Sequence, residues 1–515
     1  MKQKWEFVLK AAALAAVLGL IIVIILYLKD VPASDNAYVE ESAKSMDPMI
    51  ISIGMWGIQD YLSGDEVLSI IEKKFNVKLK PININYTNWT LEYQKMAAIN
   101  NLPDIIAHDI VGSSTYAAWV AQKKIRAIPS DLSRYPHLQE YMNLEYNQSF
   151  QEAAGEFYLI PRLTYPDEEL WALDRCIVIR REWLEQLGLK LPGNYEEFKQ
   201  MLKAFTETDF DQNGELDTIG LATENANTLE AVYLGLYPEL SNIERGWIEE
   251  DGRWIPVYAS KKTGEALARA KELYDLGLLD AGFPYRSINQ AFSLFVDKKC
   301  GAIACQYFSL IQYWNSIEGV SDHSDDIIVM KPWPVEDGEK YRFTSSLHWS
   351  ETYFGSQVSD EKMAKIMEIY DFLLSDEAED LFYGGNAGDW INDNPSINAL
   401  SHLVSWEQDK IYDKTPYSIK IYGEKNIDYA NEMIEWYKLN TKSVDYNYNI
   451  MFSNIQEKYL LPTYNEVQNE MIQIIIGEED AKSAWERVMK KYGDEISMNR
   501  IINKITEAVN EHTPE

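Results

Sequence analysis

The sequence predicts an α/β protein built as two lobes. With 515 residues the chain is too long for one small core, because single cores stop growing at roughly 250–300 residues. Segments that read as strands alternate with helical patterns of about ten to fifteen residues, which is typical of βαβ units and a parallel sheet. No fixed-period repeat and no long low-complexity stretch divides the sequence, so the lobes are expected to share several crossings of the chain.

The predicted elements follow in order from residue 49. Strand patterns, rich in β-branched residues or alternating in polarity, occupy 49–56, 77–86 and 102–109. Helical spacing of apolar residues fills the gaps between them, at 64–75 and 89–101. The alternation returns in CIVIRREWLEQLG, FSLFVDKKCGAIACQYF and DDIIVMKPWP. From Asp360 onward the pattern is mostly helical.

The N-terminal segment predicts attachment to a membrane. Lys2, Lys4 and Lys10 precede an unbroken apolar run at 11–28, whose helical length of about 27 Å approaches the hydrocarbon core of a bilayer. Positive charge before the run places the remainder outside the cytoplasm. Two outcomes fit: an uncleaved anchor, or a signal peptide cut after Ala33, which would give a secreted protein. No cysteine stands directly after the run, so a lipid-modified N-terminus is not available.

The charge balance and the cysteines exclude several classes. A formal net charge of −33 without a basic stripe argues against nucleic acid. Three cysteines, Cys176, Cys300 and Cys305, are too few and too scattered for a disulfide framework or a zinc site. The sequence lacks H-E-x-x-H, G-x-S-x-G, G-x-x-x-x-G-K and G-x-G-x-x-G, so none of the enzyme classes with these motifs is indicated.

The segment DFDQNGELD at 209–217 has the spacing of a calcium loop. Oxygen-bearing side chains alternate along it, at Asp209, Asp211, Asn213, Glu215 and Asp217. Gly214 stands where a sharp turn is needed, whereas Gly220 replaces the bidentate Glu expected at position 12. The segment therefore predicts a structural calcium site, and the alternative is an Asx-rich turn that closes the preceding helix.

Several segments of the sequence resemble a known protein family. The stretch 174–221 is similar almost position for position to family 1 extracellular solute-binding proteins of carbohydrate ABC transporters, in the large oligosaccharide-binding branch of Gram-positive bacteria. Further matching segments, in order along the chain, are 101–109, 153–163, 271–280, 292–303 and 371–390.

The resemblance implies a periplasmic-binding-protein-like fold of type II, with hinge strands between the lobes and the sugar clamped in the cleft. It also implies that calcium in the acidic loop is structural and lies away from the sugar. The sequence departs from the family in three places. The lipid-anchor cysteine is missing, Thr218 replaces a frequent Glu, and residues after about 400 carry no matching motif.

The expected organisation starts with an N-terminal anchor at 1–30 and a tether at 31–47. Residues 48–180 together with 331–375 are expected to form the N-terminal lobe, and 181–330 together with 376–515 the C-terminal lobe.

Candidate sugar contacts come from two sources. Ligands gather at the carboxyl ends of strands, which selects Trp56, Tyr307 and Phe308. Aromatic plates with a few polar groups suit sugars, whose C–H faces are flat. By resemblance, the further candidates are Arg162, Tyr165, Trp171, Trp349, Tyr353, Asp389 and Trp390. Helical patterns predict instead that Trp89, Trp119 and Trp183 belong to the core.

The function predicted from these observations is a monomeric extracytoplasmic receptor that captures an oligosaccharide and, by resemblance, delivers it to ABC permease subunits. Two alternatives keep the fold: a sugar sensor for a membrane kinase, and a binding protein for another solute such as a peptide. A glycan-cleaving enzyme is disfavoured, although paired carboxylates occur throughout so acidic a chain.

Overall fold

A computed structural model describes residues 47–56, 58, 66–85, 88–152, 154–210, 214–223, 229–383, 400, 403–404 and 412–512. The predicted anchor and tether lie outside these residues, apart from Asp47. Among the helices of the described residues, none is both long and apolar enough to cross a membrane.

The secondary structure follows the predicted alternation. The strands are β1 (Met49–Trp56), β2 (Val77–Ile84), β3 (Ile105–His108), β4 (Leu159–Leu163), β5 (Cys176–Arg180), β6 (Ile219–Thr223), β7 (Trp247–Glu250), β8 (Arg253–Pro256), β9 (Cys300–Cys305), β10 (Ile327–Val329) and β11 (His348–Phe354). The α-helices of the described residues are Glu66–Phe75, Trp89–Ala98, Ser114–Ala121, Pro136–Met142, Glu145–Gln148, Arg181–Gln186, Tyr195–Thr206, Glu230–Leu234, Thr263–Asp275, Ile288–Val296, Tyr307–Glu318, Asp360–Leu373, Asp376–Tyr383, Pro416–Tyr422, Glu424–Asn440, Asn449–Phe452, Tyr464–Ile476, Ala481–Ile496 and Met498–His512. Short 3-10 helices occur at Glu168–Leu173, Pro238–Leu240, Val257–Ala259 and Gln456–Leu460.

The first sheet has the strand order β2-β1-β3-β11-β4. β1 and β3 are parallel, as predicted, but β11 runs antiparallel to both β3 and β4. The sheet is therefore mixed rather than parallel. The reason is that the chain reaches β11 from β10 of the other sheet and enters the first sheet at the edge where β3 and β4 end. β11 therefore runs in the opposite direction to both strands.

The second sheet has the order β10-β5-β9-β6, with β6 and β9 parallel and β5 antiparallel to both of its neighbours. The predicted N-terminal lobe ran to residue 180, whereas β5 pairs within this second sheet. We therefore propose that the chain passes from one lobe to the other between β4 and β5. A separate hairpin joins β7 and β8.

Both faces of the second sheet are buried. Along β5, Ile177 and Ile179 pack into one apolar cluster, and Cys176 and Val178 into another on the opposite face. This alternation with both faces apolar is what the near-continuous hydrophobic run CIVIR predicts. The three cysteines are buried and not in disulfides.

The helix Tyr195–Thr206 illustrates how the local sequence sets the packing. Asn194 caps it by accepting a hydrogen bond from the Glu197 backbone N–H. Its apolar side chains recur at helical spacing, so that Phe198, Leu202 and Phe205 are fully buried against the second sheet.

Gly301 on β9 is a close-packed position. A β-carbon there would lie 2.2 Å from Cδ2 of the buried Phe205 ring. Gly301→Ala is expected to lower the free energy of unfolding by about 1–3 kcal/mol, because the ring or the strand must shift. Urea denaturation measures this.

The matched control is Gly493→Ala in the helix Ala481–Ile496, where nothing lies within 4 Å of an added β-carbon. That variant is expected to stabilise by about 0.5–1 kcal/mol. Equal effects of the two substitutions would contradict the packing described for Gly301.

Candidate functional site

Four strand ends meet at one edge of the first sheet. β1, β3 and β4 end there at Trp56, His108 and Leu163, and the antiparallel β11 begins there at His348. Side chains that are distant in sequence are thereby collected at the edge where ligands bind in open α/β sheets.

A β-bulge in β11 shapes this edge. The register with β4 shifts between His348 and Glu351, and Ser350 has φ of +72° although it is not glycine. Bulges redirect side chains at functional sites. Here the bulge contains Trp349, and the Ser350 hydroxyl accepts a hydrogen bond from the Arg162 guanidinium.

Three tryptophans form a cluster at this edge. The Trp56 ring lies 5.2 Å from Trp89 and 5.7 Å from Trp349, and Trp89 and Trp349 are 6.5 Å apart, measured between ring centroids. All three side chains are half-buried. We call Trp56, Trp89 and Trp349 the tryptophan cluster. Partly exposed rings of this kind can stack against the apolar faces of a sugar.

Arg162 and His108 lie beneath the cluster. The Arg162 guanidinium lies 5.1 Å from the Trp56 ring centroid, and the His108 ring lies 4.8 Å from that of Trp89. Burial, reinforced by the nearby Arg162, lowers the pKa of His108 to about 3, so its imidazole is neutral at pH 7. Burial lowers the pKa of Arg162 to about 10, and that side chain stays charged. The floor of the cluster therefore carries a single positive charge.

An ion pair next to the cluster joins residues of the two predicted lobes. Asp109, directly after β3, accepts hydrogen bonds from Arg245 Nη2 at 3.0 and 2.8 Å. Arg245 belongs to the segment between the second-lobe residue Ile243 and β7, and its side chain is 4% exposed. The tryptophan cluster therefore lies beside the junction between the lobes.

Glu351 on β11 completes this group. Its Oε1 accepts hydrogen bonds from the Val111 backbone N–H at 2.6 Å and from the Tyr353 hydroxyl at 2.7 Å. Burial, together with the neighbouring Asp109 carboxylate, raises the pKa of Glu351 to about 8. The Glu351 carboxyl is therefore mostly protonated at pH 7.

The other aromatic candidates are placed differently. Tyr165, Trp171, Tyr307 and Phe308 are buried in the second apolar cluster of the second sheet, and Tyr353 is buried in the first lobe. Their rings are packed against other side chains, so this conformation offers them no direct contact with a ligand. Asp389 and Trp390 lie outside the described residues.

Tyr307 and Phe308 are buried for a local reason. The helix Tyr307–Glu318 begins immediately after Gln306, and its buried side chains include both rings. The strand-end rule selects the position correctly, but the helix turns these two side chains inward. Trp119 and Trp183 are core residues, as predicted, whereas Trp89 is half-buried and meets Trp56 edge-on in the cluster. The helical pattern gave no sign of which way Trp89 faces.

The acidic loop is anchored from both sides. Phe210 stacks on the buried Trp183 with ring centroids 3.8 Å apart and planes 2° apart. The Thr218 hydroxyl donates to the Phe205 carbonyl at 2.7 Å, which ties the loop to the end of the preceding helix. Asp209 Oδ2 accepts from the Gly214 backbone N–H at 2.9 Å, and Gly214 has φ of +87°.

This conformation contains the sharp turn that a calcium loop requires at its glycine. Asp211 and Asn213 lie outside the described residues. Within the described residues no group of three or more His, Cys, Asp or Glu side chains is placed to hold a metal ion. The carboxylates of Asp209, Glu215 and Asp217 are donors of the type that calcium prefers.

The fold is that of two-lobed solute-binding proteins. The crystal structure of the alginate-binding protein AlgQ2 without calcium ion superposes with a TM-score of 0.67 at 15% identity, covering 90% of this chain and 99% of AlgQ2. An EF-hand mutant of FusA from Streptococcus pneumoniae, in complex with fructo-nystose, gives a TM-score of 0.66 at 13% identity, covering 90% of this chain and 99% of that chain. The predicted two-lobed fold is confirmed.

Sequence relatives narrow the class. The chain is 26% identical over 357 residues to the polygalacturonan/rhamnogalacturonan-binding protein YtcQ of Bacillus subtilis (strain 168). The aligned region covers 67% of this chain and 68% of YtcQ. It is 22% identical over 287 residues to the fructooligosaccharide ABC transporter substrate-binding protein FusA. That aligned region covers 53% of this chain and 51% of FusA. No family model matches the chain. The chain is thus a homologue of carbohydrate-binding proteins that include an ABC transporter substrate-binding protein, and the predicted resemblance is confirmed.

Proposed function

We propose that the chain is an extracytoplasmic substrate-binding protein, which captures an oligosaccharide between its two lobes for uptake by an ABC transporter. The observation that carries this proposal is the tryptophan cluster at the edge of the first sheet, next to the Asp109–Arg245 pair that joins the lobes. Closure of the lobes around a sugar would remove the exposed parts of these rings from water, which is favourable.

The relatives support the same function. YtcQ is named as a polygalacturonan/rhamnogalacturonan-binding protein, and FusA as a fructooligosaccharide ABC transporter substrate-binding protein. Both are binding proteins rather than enzymes, and we propose no catalytic step for this chain. We further propose that the apolar run at 11–28 holds the protein at the outer face of the membrane, where ABC permease subunits receive the ligand.

Thermal unfolding with a panel of tetrasaccharides tests the proposal. The full-length chain is purified in a detergent without a sugar headgroup, since a maltoside would compete for the site. A ligand present at 100 times its dissociation constant is expected to add about 2.7 kcal/mol to the free energy of unfolding. A raised midpoint with one class of sugar supports the proposal. No response to any sugar, combined with a response to peptides, would refute it.

We also propose that calcium binds the loop at 209–217 and stabilises it. Structures of similar proteins support this proposal, because AlgQ2 was solved in a form without calcium ion and FusA as an EF-hand mutant. Asp209, Asp211, Asn213, Glu215 and Asp217 would hold the ion, and its charge would offset the repulsion among their carboxylates. The loop follows the C-terminal end of the helix Tyr195–Thr206, which packs against the second sheet. The tryptophan cluster lies instead at the edge of the first sheet.

Calcium is therefore expected to raise the unfolding midpoint, and a chelator to lower it, without changing oligosaccharide affinity. Asp209→Asn is expected to abolish the response of the midpoint to calcium. Glu207→Gln provides the matched control, because Glu207 ends the same helix but pairs with Lys203 and not with the loop. A calcium response that survives in Asp209→Asn would place the ion elsewhere.

A further inference from the structure

The arginines near the lobe junction are matched with carboxylates. Arg245 gives both hydrogen bonds of its Nη2 to Asp109, and Arg342 lies 2.9 Å from Glu168 and 3.5 Å from Glu169. Arg175 Nε lies 3.8 Å from Glu230.

These pairs make up one set of charges, in which those of Arg245 and Arg175 are linked through Glu244. Glu244 is buried close to Arg245, Asp109 and Arg175, and it repels Glu230. Arg162, beneath the tryptophan cluster, has Glu351 as its nearest stabilising carboxylate and Asp109 nearby. The set therefore continues from the first lobe to the second.

Carboxylates outnumber guanidinium groups in this set. Arg162, Arg175, Arg245 and Arg342 face seven acidic side chains, namely Asp109, Glu168, Glu169, Glu230, Glu244, Glu351 and, beside Arg175, Asp174. Burial raises the pKa of Glu230 and of Glu351 to about 8, so these two are mostly protonated at pH 7, and five of the seven remain to balance the four arginines. A sugar carboxylate that approached one of these arginines would compete with a protein carboxylate already bound there. It would also enter a region whose potential is neutral to negative.

The stretches of sequence outside the described residues add no arginine to this set. Between residues 47 and 512, the stretches outside the described residues contain no arginine in their sequence, and Lys410 is their one cationic side chain. Their acidic residues include Asp60, Glu224 and Asp389. Bidentate recognition of a carboxylate needs a guanidinium, so these stretches cannot provide it.

We propose, on the basis of the proposed function, that the ligand is an uncharged oligosaccharide and that the paired arginines of the junction exclude chains of uronic acids. The arginines then serve to hold the junction together and to position hydroxyl-binding groups. The tryptophan cluster supplies the contact with the neutral sugar faces. The inference separates this chain from relatives whose names specify polygalacturonan or alginate.

Matched ligands test the inference by isothermal titration calorimetry on the full-length chain at pH 7. The acidic probes are tetragalacturonate and tetramannuronate, and the neutral probes are carboxyl-reduced tetragalacturonate, nystose, maltotetraose, cellotetraose and xylotetraose. We expect at least one neutral tetramer to bind, and both acidic tetramers to bind roughly 100-fold more weakly than the best neutral one. An acidic tetramer that binds more tightly than every neutral probe would overturn the inference and leave the proposed function intact. Binding of no tetramer at all would overturn both.

A variant at the rim of the junction gives a second readout. Glu168 and Glu169 are partly exposed and cover Arg342. The double variant E168Q/E169Q is expected to bind tetragalacturonate about tenfold more tightly than the unmodified chain does. The control E479Q removes a carboxylate from the exposed pair with Arg487 and is expected to change nothing. Equal affinities for tetragalacturonate in the double variant and the unmodified chain would show that the paired carboxylates do not exclude acidic sugars, and the inference would fall.

Discussion

Trp56→Ala is expected to weaken oligosaccharide binding by about 2–4 kcal/mol, which is roughly 30- to 700-fold in the dissociation constant. The reason is the position of Trp56 within the tryptophan cluster. Its ring contacts Trp89, Trp349 and the Arg162 guanidinium, so its removal takes away a stacking surface and the support of its neighbours. Calorimetric titration with the sugar identified by thermal unfolding measures the loss.

The matched control for this prediction is Trp436→Ala. Trp436 is also partly buried, but its ring contacts Lys331 and Lys340 at 4.8 and 5.5 Å, away from the cluster. Its removal is expected to leave the sugar affinity unchanged. Similar affinities in the two variants would show that the ligand does not use the tryptophan cluster. Circular dichroism checks that both variants are folded.

Arg245→Ala is expected to have the largest effect on stability, lowering the free energy of unfolding by about 3–5 kcal/mol. Arg245 is buried, and its loss leaves Asp109 without its cation close to Glu244 and Glu351. An uncompensated buried charge is more costly than a missing contact. Guanidinium denaturation at constant, high ionic strength measures the change.

Two further variants define the origin of that loss. Arg487→Ala removes an arginine from an exposed pair with Glu479 and is expected to cause no measurable change. The double variant R245M/D109N removes both charges of the buried pair, and is expected to lose less than the sum of the two single substitutions. Additive losses would show that Asp109 and Arg245 do not depend on each other.

Much of the fold could be predicted from local sequence. β1 occupies the predicted residues 49–56, because that short run is apolar and rich in β-branched residues, and the helical C-terminal region follows from apolar spacing. The position of β11 could not be predicted in this way. Its pairing between β3 and β4 depends on contacts across roughly 185 to 250 residues of chain, for which a local pattern contains no signal.

The residues of the candidate site could likewise be predicted only in part. Trp56 could be found because it ends a recognisable strand, and Trp349 because its segment resembles a known family. Trp89 could not be found, since an aromatic residue at the start of an amphipathic helix packs inward in most proteins. Arg245 gave no signal either, because the segment around it contains no motif and its partner Asp109 is 136 residues away.

The place of β11 in the first sheet has a consequence for the order in which the protein can form. Among the strands that the structure describes, β4 pairs in that sheet with β11 alone. As the chain emerges from its N-terminus, β1, β2 and β3 can pair early, but β4 must wait until the whole second sheet and residues 348–354 have followed. The lobe that appears first is thus completed late. Fragments that stop before His348 should expose the unpaired edges of β3 and β4, which are sites for aggregation.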